Sequence, residues 1–358
     1  MSNSPEATDE GPGDVTAGVS EFIARVLGQL SLSAWLPAAL LTLASASLLQ
    51  FRLQGAISLS EALGQAQKAG WALALLTVPI LILATLVTQA FSFEAIRILE
   101  GYWRRPGPPS WLRSGLIRYQ VGRKKRLGSK RIKASVKAFS SARPRLILGK
   151  TDPAVIHALE CKAIGATNPS AESMTDEQKG SLKALEWWYL CDAHLLARVD
   201  LLRAMEREYP RRDSRILPTR LGNVIRATED GLKRAGDDLE GFALRARPLV
   251  SSRVRSQHDQ FRTRLDMYCI LVFVSAVLTG LSPLLLWPIW VKSHDLWVAA
   301  ITSLFALLAA SSYYAAIASA KGYAAALRQM DAALATKPTA VDGAVGAPRA
   351  LASGSSQR

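Results

Sequence analysis

Between Gly101 and Thr151 the chain has no aspartate or glutamate, although 15 lysines and arginines fall there. The formal charge of all 358 residues is also +15, so acid and base balance everywhere else. Four other stretches lack charge of either sign. No Asp, Glu, Lys, Arg or His occurs in Leu32–Phe51, Trp71–Ser92, Tyr268–Trp290 or Leu296–Ala320. Ionisable residues inside a membrane are the usual mark of proton relays, ion pathways and voltage sensors, so their absence argues against an ion-coupled transporter. An oligomeric pore gated by an apolar constriction stays open as an alternative.

Cysteine is scarce as well. Cys161, Cys191 and Cys269 lie far apart with no CxxC pairing, which excludes a disulfide framework and points to reducing surroundings. Residues 1–20 lack the basic and apolar regions of a cleaved signal peptide and read as a disordered acidic tail; 336–358 reads as a second disordered tail. HExxH, GxSxG and the Gly-rich dinucleotide fingerprint are all missing. Leu148–Pro153, LGKTDP, lacks the upstream glycine of a phosphate loop, since Pro144 stands in its place. No catalytic residue and no cofactor is therefore expected. Alternating strand patterns are missing too, so the expected class is all-α.

What the chain does have is four apolar runs, each long enough to cross the ~30 Å hydrocarbon core as a helix. The expected order is a first hairpin within residues 21–100 (spans 32–51 and 71–92) and a basic juxtamembrane segment over 101–151. A helical domain over 152–266 follows, and then a second hairpin with a helical extension over 267–335 (spans 268–290 and 296–320). Trp71, Trp287, Trp290 and Trp297 fall near span ends, where amphipathic rings favour the interface. Lys and Arg near span ends stay on the cytoplasmic side. The two short hairpin loops are poor in cations, so both termini and the 101–266 segment are expected in the cytoplasm of a plasma-membrane protein. The small residues from Ala310 onward predict a helix–helix contact, within one chain or between chains. Ser58 and Glu61 suggest a capping box opening a short interfacial helix through Lys68.

Between the spans, Asp152 before Pro153 predicts a helix start, and Gly165 its end. Thr175 with Gln178 predicts a capping box opening one long helix toward Tyr209. Along it Leu185, Trp188, Cys191, Leu195, Val199 and Leu202 form an apolar stripe. Pro218 starts another helix, and a basic helix over roughly 249–266 should run straight into the third span.

Three sets of residues are candidates for function. His157 with Cys161 and Cys191 with His194 have spacings that would let two packed helices offer zinc two N and two S donors; ordinary core packing of small thiols is the alternative. The cluster Arg123, Lys124, Lys125, Arg126, Lys130, Arg131 and Lys133 suits the bilayer and its anionic headgroups, at ~1 kcal/mol per residue near the surface. It could instead meet a protein partner; few aromatics interleave it, which argues against nucleic acid as the ligand. The third set is a helix around Leu217–Asp230, where Leu217, Leu221, Val224 and Ile225 form an apolar face. Arg220, Asn223 and Arg226 lie on or beside the opposite one, and Gly222 permits another backbone to come close. Arg220 is expected to pair with Asp266 at the mouth of the third span; a solvated basic helix is the alternative.

LPTRLGNVIRATED, Leu217–Asp230, resembles a PTRLGN-type motif of uncharacterised multi-pass membrane proteins from high-GC bacteria. FRTRLDMYC, Phe261–Cys269, is similar to the basic stretch entering a later span of those proteins. The resemblance implies a shared layout and no particular activity. The expected role is a non-enzymatic, membrane-anchored interaction or regulatory protein, whose partner is a cytoplasmic protein or a second copy of the chain. The alternative is an oligomeric channel or membrane-permeabilising effector gated by the cytoplasmic domain.

Overall fold

The computed structural model describes residues 32–103, 110–167, 173–232, 234, 238–293 and 296–336. Of the expected tails, 1–20 and 336–358, all but Thr336, which ends the last helix, lie outside the described residues. Among the described residues all regular structure is helical. The helices are α1 (Leu32–Gln54), α2 (Leu59–Glu100), α3 (Ser110–Leu148), α4 (Pro153–Ile164) and α5 (Asp176–Ala184). They continue with α6 (Ala193–Glu206), α7 (Arg220–Gly231), α8 (Leu239–Ala246), α9 (Ser252–Ser293) and α10 (Leu296–Thr336).

Four of these, α1, α2, α9 and α10, are long and apolar enough to cross a membrane. Helices of 42 and 41 residues are ~60 Å long at 1.5 Å per residue, about twice the hydrocarbon thickness. Much of α2, α9 and α10 therefore projects beyond any bilayer, and those projections carry the central helices. Leu43, Leu83, Phe91, Leu284, Trp287, Leu304 and Leu307 point outward from the four candidate spans and are exposed. Such faces suit lipid, where no water is available to be ordered by them. Several span hydroxyls bond within their own helices: Thr42 donates to the Ala38 carbonyl at 2.8 Å, Thr85 to Leu81 at 2.7 Å and Ser282 to Leu278 at 2.6 Å.

Inside the four-helix unit, Leu48, Phe51, Ile270, Val274, Leu278, Leu286 and Phe305 form one core. The small residues of α10 find their contact within the chain, since Ala316 and Ala320 are buried against Leu265 and Cys269 of α9 and Leu221 of α7. The expected separate interfacial helix after Ser58 is not separate. Helix α2 runs from Leu59 to Glu100 without interruption, because nothing between Gly64 and Trp71 breaks a helix.

The basic segment folds as the 39-residue α3. Its inner face is built of small side chains, Ala134, Ala138 and Ala142, with Phe139 and Leu146 as the large ones. Helices α4 and α6 close on that face and enclose Leu159, Met174, Trp187 and Val199. The predicted start of α4 is present, with the Asp152 side chain accepting from the Ala154 N–H at 2.7 Å and Gly165 closing the helix. The Thr175–Gln178 capping box is also present.

The single helix expected from Thr175 to Tyr209 is instead broken. After α5 a short 3-10 turn, Trp187–Leu190, swings the chain so that Trp187 meets Phe139 edge-on at 5.4 Å. Asp192 then restarts the helix, its N–H donating to Ser141 Oγ at 3.2 Å. Burying a tryptophan offsets helical hydrogen bonds lost at the break, since an aromatic contributes several times the net ~1 kcal/mol of each such bond. All six residues of the predicted stripe still face this core.

Candidate functional site

The six residues Pro218–Asn223 sit where the central helices meet the projecting ends of the candidate spans, and each has a separate task. Thr219 caps α7, its Oγ1 accepting from the Gly222 N–H at 3.2 Å. Asn223 is completely buried; its Nδ2 donates to the Leu217 carbonyl at 3.0 Å and its Oδ1 accepts from the Leu217 N–H at 2.7 Å. One side-chain amide thus satisfies both backbone groups of a residue outside any helix. That corrects the expectation that Asn223 lies near the polar side. Leu221 is buried among Leu265, Cys269 and Ala316.

Gly222 meets the end of α2. A Cβ there would overlap the carbonyl of Glu100, so only glycine lets the two backbones approach this closely. Pro218 lies against Gly101, whose φ of 90° ends α2; a Cβ at Gly101 would come within 2.7 Å of the proline ring. The phenol oxygen of Tyr313 in α10 accepts from the N–H groups of Arg220 and Leu221, at 3.2 and 3.4 Å. The motif therefore ties α2, α9 and α10 together beneath the spans.

A half-buried ionic layer surrounds this corner. Arg220 donates through Nε and Nη2 to one oxygen of Glu208, at 3.0 and 2.8 Å, and Lys321 of α10 reaches the other oxygen. Arg226 holds Glu229 at 2.7 Å and lies 5.1 Å from the Tyr102 ring. Burial raises the Tyr102 phenol to about 12, so the ring stays neutral beneath the guanidinium. Arg215 joins Glu229 at 3.2 Å and Asp230 at 3.0 Å. The expected Arg220–Asp266 pair is not formed. Asp266 is held by Arg262 one turn back at 3.4 Å, a partner that local i,i+4 geometry supplies. Glu208, Lys321, Tyr102 and Tyr313 carry no sequence signal of their own and become visible only once α7 is placed. The solvated-helix alternative for α7 is likewise set aside, since Leu221, Gly222, Asn223 and Val224 are buried.

The basic cluster on α3 divides into two faces. Lys124 turns inward to Asp213 at 2.7 Å, and Arg131 to Glu206 at 2.6 Å. Lys124 holds the Asp213 carboxyl below its ordinary value by hydrogen bonding. Two of the seven residues expected to face lipid thus serve the fold. Lys125, Arg126, Lys130 and Lys133 are exposed, and Arg123 is half-buried. The buried Tyr209 hydroxyl donates to Gln120 at 3.0 Å and pins α3 to the same corner.

The four candidate zinc ligands are not gathered. Cys161 and His157 stand 3.9 Å apart on α4, but Cys191 donates to the Trp188 carbonyl at 3.2 Å and burial pushes its thiol up, away from the thiolate a metal needs. Among the described residues no group of three or more metal-ligating side chains converges. No protein-family profile matches the chain, and neither a curated protein nor a solved structure matches it significantly.

Proposed function

We propose that this is a multi-pass protein of a bacterial plasma membrane, with both termini and the α3–α8 region in the cytoplasm. Its role would be that of a membrane-anchored interaction or regulatory protein rather than an enzyme. The observation that carries the reading is α3, a 39-residue helix without a single acid. It follows the second candidate span after a short connection and keeps four of its expected lipid-facing cations exposed. Cations so close to a span favour the cytoplasmic side, and the same cations attract anionic headgroups. Exposed Trp111, Tyr119, Ile132 and Val136 intersperse them, a mixture suited to the headgroup boundary.

The ionic corner supports the non-enzymatic part. Glu208, Glu229 and Asp230 are each engaged by Arg or Lys. Acids so committed fix helices in place. A corner that joins three membrane helices to the cytoplasmic lobe would let a partner bound below influence the spans. The likeness of Leu217–Asp230 to the PTRLGN-type motif belongs to the same proposal, with the motif acting as this joint.

Purification of the tagged protein in mild detergent from its own cells, with mass spectrometry of the intact complex, tests the reading. A foreign protein in fixed stoichiometry is the expected result. A homo-oligomer that conducts ions after reconstitution would overturn it in favour of the permeation alternative.

A further inference from the structure

The exposed side of α3 contains a more specific feature than a basic face. Lys130, Lys133 and Lys137 line one wall of a cleft of about 250 Å³, and Arg198 of α6 lines the other. Ala134 and Leu195 form the rest of the lining. All four cations are exposed. No carboxylate lines the cleft; nearby Asp200 is turned to Arg203 at 3.3 Å, and Glu206 is taken by Arg131 on the inner face of α3. Lys124, Arg131 and Arg145 each face an acid, whereas these four converge on one cleft whose lining includes no acid. Like charges within a Debye length, ~8 Å at physiological salt, repel, so a multivalent anion seated between the four would be attracted by all of them.

We propose that this cleft is a binding site for a phosphate-bearing anion of high charge. Its chemistry is that of two or more phosphate groups spanned by three ammonium groups and one guanidinium, the latter suited to a bidentate contact. The small Ala134 leaves the room, and Leu195 offers an apolar edge to any organic part. Those phosphates could come from a soluble organophosphate or from a lipid headgroup, and the inference holds whichever way the spans face.

The test uses the full chain in zwitterionic nanodiscs, in phosphate-free buffer, titrated with inorganic tripolyphosphate by calorimetry. Saturable binding of one ion per chain is expected. Lys133→Gln/Lys137→Gln and Arg198→Gln should each weaken it roughly tenfold or more, while Lys125→Gln, on the same helix outside the cleft, changes it less than about twofold. Equal thermal midpoints for all variants would show the fold intact. Nanodiscs rich in cardiolipin then separate the sources. Loss of tripolyphosphate binding there assigns the cleft to headgroups, and retention assigns it to a soluble ligand. Absence of saturable binding below about 1 mM, a free energy of about −4 kcal/mol, overturns the proposal. So does an equal loss in the Lys125→Gln variant.

Discussion

Gly222 and Glu208 are the residues whose replacement separates a packed joint from a loosely apposed one. Any side chain at Gly222 pushes α7 off the end of α2, so Gly222→Ala should destabilise the protein by about 1–3 kcal/mol. The drop would be read as a lower thermal midpoint in nanodiscs. Gly101→Ala should do the same through Pro218 and a strained φ. Glu208 receives two cations in a site where its side chain is only 12% exposed. Reversing one charge alone, Arg220→Glu, sets two acids against each other and should cost about 3 kcal/mol. Adding Glu208→Arg should recover part of that loss, since the new pair forms while Lys321 then faces a second cation, whereas adding Asp266→Arg should recover none. This pairing was illegible from sequence for a simple reason. Charge complementarity offered Arg220 several acids, and only the fold of the connection after α6 decides between Glu208 and Asp266.

At the scale of elements, signals confined to a few consecutive residues translated well. Asp152–Pro153 and Thr175–Gln178 marked helix starts because a cap is satisfied by atoms within one turn. Helix α3 left no such signal. Its buried side mixes three alanines, a serine and a glutamine with Phe139 and Leu146 as the only large apolar residues, so the charge of its outer side hid the periodicity. The break after α5 was illegible because it depends on Trp187 reaching Phe139, a partner 48 positions earlier. Trp187→Ala should therefore loosen the outer lobe by about 3–5 kcal/mol. Hydrogen exchange should accelerate in α4, α5 and α6 and stay slow in α7. The lipid role proposed for α3 has its own test. A nitroxide at Val136 should show reduced collisions with a water-soluble relaxer in anionic nanodiscs. It should regain them in zwitterionic nanodiscs at high salt, since screening removes the attraction.

Across the whole molecule, the four apolar helices were the most legible part, because spanning a ~30 Å layer demands length and apolarity that no other element needs. Their continuation past the membrane was legible in part: a helical extension after Ala320 was expected, whereas the residues after Ser92 look like loop until something packs on them. In the structure α7 and α8 pack there, through Leu221 and Val224 on one level and Phe242 with Leu327 and Met330 on another. The central claim is that this joint and the lobe beyond it lie on the cytoplasmic side. Substituted-cysteine labelling with a membrane-impermeant maleimide tests it directly, on a background in which Cys161, Cys191 and Cys269 are replaced by alanine or serine. Ala56→Cys in the first hairpin loop should label in intact cells, and Lys150→Cys between α3 and α4 only after permeabilisation. Labelling of Lys150→Cys in intact cells, with Ala56→Cys protected until the membrane is opened, would contradict the account.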